Sequence, residues 1–158
     1  MILCFVLGIL SFVFAGGFLL NNDPCSKCGE PIDVTLEAIN EFRDPHFTIS
    51  VKLEATYQRE LILLLQEAAE NDGHFNFTVS YHKSLGFMVQ AINNTKTNFA
   101  EDGAFWQIFE YNPSVSVGSR HICYGVSTHR PNNGDIITFL FSNTTVSLAH
   151  CPDVVPTQ

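Results

Sequence analysis

The sequence predicts an α+β domain, with one amphipathic helix packed on a mixed sheet of about five to six strands. Three observations carry this expectation. His46 to Ala55 alternate apolar and polar side chains, and Gln58 to Asp72 switch to helical spacing. Beyond Gly73, further alternating runs are separated by turn-rich stretches. With 158 residues, 46% apolar and 12% aromatic, the chain is one domain's worth and lies outside the composition of disordered proteins.

Taken in order, residues 1–20 are uncharged and predominantly apolar, and read as a secretory signal peptide with Ala15, Gly16 and Gly17 offering a cleavage site. The alternative is a retained anchor, since about 20 apolar residues span a bilayer. Residues 21–45 form a cysteine-containing N-terminal segment, where Val34, Leu36, Ile39 and Phe42 fit either a short helix or an irregular cover. The main domain is expected over 46–151, followed by a flexible tail, 152–158.

Within the domain, Phe47, Ile49, Val51, Leu53 and Ala55 line one face of a half-buried strand. Leu61, Leu64, Leu65, Ala68 and Ala69 mark the apolar stripe of the helix, with Gly73 as its stop. Phe75, Phe77, Val79 and Tyr81 alternate as the next strand; others are read from Gly86 to Ile92, Phe105 to Tyr111, Arg120 to Val126 and Asp135 to Phe141. The last of these is apolar on both faces, which predicts a central, buried position.

Sixteen acidic against eight basic side chains, a net charge of −8, argue against a nucleic-acid partner, which needs clustered Lys and Arg. An anionic membrane surface is disfavoured for the same reason, and no membrane association is expected after leader cleavage. Once the leader and Cys4 are removed, Cys25, Cys28, Cys123 and Cys151 remain, an even number suited to structural disulfides in an oxidising compartment. Zinc and redox Cys-x-x-Cys chemistry are the alternatives. Acceptor sequons at Asn76, Asn93 and Asn143 agree with a secreted, extracellular glycoprotein.

No catalytic template is present: the chain lacks a nucleophile elbow, a phosphate-cradling glycine loop and a His-Glu-x-x-His helix. The six histidines are scattered, so neither an enzyme nor a metal site is expected. What remains is Phe105-Trp106-Gln107-Ile108, in which the only tryptophan either fills the core or presents an apolar plate to a large flat ligand fringed by amides.

The helix, then Gly86-Phe87-Met88-Val89-Gln90-Ala91-Ile92-Asn93, then Phe105-Trp106-Gln107, then Gly125-Val126 and His129-Arg130-Pro131-Asn132-Asn133-Gly134-Asp135, follow one another in an order that resembles the C-terminal β domain of the transcobalamin and intrinsic factor family. These are secreted cobalamin carriers. The resemblance spans about His46 to Phe141 and implies a β-grasp-like curved sheet embracing one helix. It also implies cobalamin as a ligand, not a catalytic cofactor, bound by Trp106, Gln107, Ile108, Asn94, Thr95, Gly125 and Val126.

The family's helical barrel is absent from this sequence, and the chain between Gln107 and Gly125 is longer than the family pattern. The resemblance therefore implies a domain that supplies one wall of the ligand site, weak alone or dependent on a helical carrier domain on a separate chain, with a cell-surface receptor as a further partner. The alternative is an extracellular interaction module of the same fold that binds no corrinoid.

Overall fold

The computed structural model describes residues 28–115, 117–122 and 125–144. The expected leader and tail lie outside the described residues, as do Cys25, Cys123 and Cys151. Cys28 is disulfide-bonded.

The elements run β1 (Pro31–Asn40), β2 (Phe47–Tyr57), α1 (Leu61–Asn71), a 3-10 turn (Gly73–Phe75), β3 (Phe77–His82), β4 (Gly86–Ile92), β5 (Thr95–Lys96), β6 (Phe105–Asn112), β7 (Val117–His121) and β8 (Ile136–Ser142). They form an α+β fold with one α-helix among the described residues. The strands divide between a five-stranded sheet, ordered β2-β1-β8-β6-β7, and a separate three-stranded sheet, β3-β4-β5. The large sheet is mixed because β1 runs parallel to β8 while the other pairs are antiparallel.

β1 corrects the reading of residues 21–45 as helix or cover. Ile32, Val34, Leu36, Ala38 and Asn40 are buried at strict period two. The residues singled out from the sequence mixed both faces of this strand: Val34 and Leu36 point inward, whereas Ile39 lies on the opposite face. At its end, buried Asn40 closes the β1–β2 loop by donating through Nδ2 to the Arg43 and Pro45 carbonyls at 2.7 and 2.9 Å.

β2 keeps the expected alternation through Leu53 and then changes phase. Ile32 pairs with Thr56 but Val34 pairs with Leu53, so β2 carries an extra residue opposite Asp33. Ala55 takes the strain with φ 51° and is exposed, contrary to its expected place on the buried face, and its amide donates to Asp33 Oδ1 at 2.9 Å. Thr56 turns inward instead, its hydroxyl donating to Glu67 Oε2 at 2.7 Å.

On α1, Leu61, Leu64, Leu65 and Ala68 are fully buried in a core that includes Leu36, Leu53, Ile137 and Phe139. No side chain caps its N-terminus. Its first amides donate instead to carbonyls of a distant turn, Leu61 to His129 at 2.8 Å and Ile62 to Val126 at 2.9 Å. Its end is formed by extended Asp72, whose side chain accepts from the His74 amide, not by a glycine cap at Gly73.

Phe75, expected in a strand, lies in the 3-10 turn and packs edge-on against Phe139, with ring centroids 6.4 Å apart. The sequon residue Asn76 is thereby left exposed just before β3. β8 is central, as its apolar run predicts, with Ile137, Phe139 and Phe141 buried and the alternate positions half-buried. β7 ends earlier than the sequence suggests. After Ile122, whose amide donates to the Ile108 carbonyl at 2.8 Å, Gly125 opens a turn by accepting from the Thr128 and His129 amides.

Candidate functional site

Between the two sheets lies an open cleft of about 570 Å³. One wall is β4 with the turn before it, bearing Leu85, Phe87 and Gln90; the floor is β6, bearing Trp106, Gln107 and Ile108. The far wall is His121 at the end of β7 and Ile122 just beyond it, continued by Gly125 and Val126. Close contact holds these walls together. The Phe87 amide donates to Ser127 Oγ at 2.6 Å, and Gly86, at φ 74°, leaves the room that Ser127 occupies.

Of the residues expected from the sequence, Trp106, Gln107, Ile108, Gly125 and Val126 all line this cleft. Trp106 does so from within the core. It is 6% exposed, its ring lies 5.1 Å from Phe141 and 6.3 Å from Phe47, and Nε1 donates to the Thr95 carbonyl at 3.1 Å. Gln107 is buried and donates through Nε2 to the Thr144 carbonyl at 2.8 Å.

Asn94 and Thr95 stand apart from the lining. Asn93 and Asn94, at φ 46° and 64°, form the two-residue turn that joins β4 to β5. Thr95 is buried behind Trp106 and touches it through its carbonyl. Of the sequon residues, Asn76 and Asn143 are exposed and Asn93 is half-buried.

Among the described residues, the lining contains no Asp, Glu, Lys or Arg. His121 is the titratable side chain among the described lining residues, and burial lowers its pKa, which favours a neutral imidazole. Polar capacity comes from a chain of hydrogen bonds: Thr97 Oγ1 donates to Gln90 Oε1 at 3.0 Å, and Gln90 Nε2 donates to Ser80 Oγ at 2.8 Å. Among the described residues, no group of three or more His, Cys, Asp or Glu side chains is arranged to hold a metal ion.

The rim was not expected. Leu85, Phe87, Met88 and Phe99 border the cleft and are 39 to 72% exposed, and Tyr81, 70% exposed, packs edge-on against Phe87 at 5.5 Å. Exposed apolar side chains gathered at the mouth of a cleft make this rim a candidate binding surface. Its signal in the sequence was the unbroken apolar run Phe87-Met88-Val89, which puts apolar side chains on both faces of β4.

The segment from His129 to Asp135 does structural work. Asn133 Oδ1 accepts from the Asp33 amide at 2.8 Å, and Gly134, at φ 82°, donates its amide to the Asp33 carbonyl at 2.7 Å. These bonds bind the start of β8 to β1.

No protein-family model matches the sequence, and no curated protein matches it. Solved structures do share its fold. Haptocorrin in complex with Cbi is similar at a TM-score of 0.53 and 16% identity, over 70% of this chain and 25% of that one. A protein of Ruminococcus gnavus ATCC 29149, which bears the provisional name of a metal binding protein, is similar at a TM-score of 0.51 and 10% identity, over 72% and 99%. The chain thus spans a quarter of the haptocorrin chain, and at these identities the likeness is one of fold.

Proposed function

We propose that this chain is a secreted corrinoid-binding domain of the transcobalamin type, with cobalamin as a ligand in carriage or transport and no catalytic role. One observation carries the reading: residues nominated by sequence resemblance on β6 and on the turn at Gly125-Val126 converge on a single apolar cleft whose described lining is uncharged. A cleft of about 570 Å³ is the size of a ligand site. Its amide and hydroxyl groups suit a flat ligand with a neutral polar fringe.

The exposed rim supports a second wall. A ligand in the cleft would still face solvent across Leu85, Phe87 and Phe99, whereas tight sites bury 70 to 90% of a ligand's surface. A helical carrier domain on another chain is the occupant this reading assigns to that side. Disulfides among Cys25, Cys28, Cys123 and Cys151 and glycans on the sequons belong to the same extracellular reading, as does recognition by a cell-surface receptor.

Calorimetric or absorbance titration with cyanocobalamin and hydroxocobalamin tests the proposal. Binding is expected to be weak for the chain alone and tighter when a helical carrier domain is added. The double substitution Leu85→Ser with Phe99→Ser is expected to weaken binding at least about tenfold, the scale of burying two large apolar side chains. Absence of binding in both arrangements would sink the proposal. The second reading is then an interaction module without ligand, favoured by Trp106 being 6% exposed and hydrogen-bonded inside the core.

A further inference from the structure

The segment before β8 contains Asn133-Gly134, the one Asn-Gly pair in the chain. This dipeptide is chemically reactive, because a glycine without Cβ leaves its amide nitrogen unshielded beside the preceding asparagine side chain. The fold nevertheless uses both residues. Gly134 adopts φ 82°, a left-handed conformation that a Cβ disfavours, and Asn133 supplies the Oδ1 that accepts the Asp33 amide at 2.8 Å.

The same contacts restrain the pair. The Gly134 amide donates to the Asp33 carbonyl at 2.7 Å, and the Asn133 carbonyl accepts from Asn112 Nδ2 at 3.2 Å. With Oδ1 also held on β1, neither the side chain of Asn133 nor the peptide that follows it is free to rotate. Asn133 is exposed, so water reaches it once these bonds open.

We propose that Asn133 is a deamidation site gated by the junction of β1 with β8, and that its isoaspartyl product holds this junction open. In the first step the Gly134 nitrogen attacks Asn133 Cγ. The N–Cγ bond forms, the Cγ–Nδ2 bond breaks, and Nδ2 leaves as ammonia, taking the Gly134 amide proton. Water then opens the succinimide ring. Opening at Cγ yields aspartate; opening at the main-chain carbonyl leaves the Gly134 nitrogen bonded to Cγ and inserts one methylene into the backbone.

That insertion falls where register is set. The Asp135 carbonyl accepts the Thr35 amide at 3.0 Å, and Thr35 pairs with Ile136 at the start of the parallel ladder between β1 and β8. A backbone lengthened between residues 133 and 134 cannot keep both the Gly134 and the Asp135 bonds to β1. Either product also adds a negative charge to a segment that already carries Asp135 and packs on Asp33.

The full chain, incubated folded and in concentrated urea at mildly alkaline pH, reads the gate. Mass-spectrometric peptide mapping follows aspartate and isoaspartate at position 133. The folded rate is expected to be at least about tenfold below the rate in urea, because reaction waits on local opening. Asn112→Ala deletes the bonds to the Asn133 carbonyl and to Asp135 Oδ1 without touching a reacting atom. It is expected to raise the folded rate about fivefold, the scale of one hydrogen bond.

The isoaspartyl chain separates from the parent on anion exchange by its added charge. Amide exchange read by NMR is expected to show lost protection at Thr35 and Gly134 in that chain. Asn133→Asp keeps an acceptor for the Asp33 amide and a normal backbone, and is expected to retain protection at both. Equal rates in folded and urea-unfolded wild type would overturn the proposal, a comparison that needs no variant to fold. So would an unchanged rate in Asn112→Ala, or full protection in the isoaspartyl chain. No corrinoid enters these experiments, so their outcome is independent of the binding reading.

Discussion

Trp106 was legible in the sequence as a choice between core and ligand plate, and the residue turns out to serve the core while its edge floors the cleft. The deciding contact is its indole N–H, which donates to the Thr95 carbonyl and is thereby satisfied inside the core. Trp106→Phe keeps an aromatic ring and deletes the donor, and is expected to destabilise the fold by about 1–3 kcal/mol. A shift of the urea midpoint at constant m-value would show it. A loss of corrinoid affinity with unchanged stability would contradict the core assignment.

At the scale of elements, α1 was the clearest feature of the sequence because its apolar spacing is a local property. Its four fully buried side chains make it the centre of the core, with Leu65 among those at 0% exposure. Leu65→Ala is expected to cost about 2–5 kcal/mol, read as a fall in the thermal or denaturant midpoint. β1 was missed although Ile32, Val34, Leu36 and Ala38 alternate, because Ile39 and Phe42 supplied apolar side chains out of phase. The β2 phase change was not legible at all. The extra residue at Ala55 is defined by the register of β2 against β1 and by the Asp33 side chain that receives its amide, and both are pairings between strands.

For the molecule as a whole, stability should carry opposing pH dependences. Burial lowers the pKa values of His121 and His129, so the stability they contribute is present above the ordinary histidine value and is lost as pH falls below it. Glu110 acts in the opposite sense, its contribution being lost as pH rises through its raised value. The two trends offset one another between about pH 4.3 and 6.5, the interval between the unperturbed carboxyl and histidine values. The wild-type stability profile is expected to be flatter there than that of Glu110→Gln, which should gain stability more steeply toward neutral pH. Denaturant titrations at intervals of half a pH unit compare the two slopes, and equal slopes would count against a raised Glu110 pKa.

By itself, the sequence determined the fold class, the helix and its buried stripe, and the central position of β8, because each follows from the spacing of apolar residues along a short stretch of chain. The tertiary structure alone decided that Trp106 points inward, that β6 meets the turn at Gly125 and Val126 across one cleft, and that Glu110 meets Arg120. These depend on which strands become neighbours and which loops cross them. Burial then assigns each polar group its partner, and no periodicity within the chain encodes that choice.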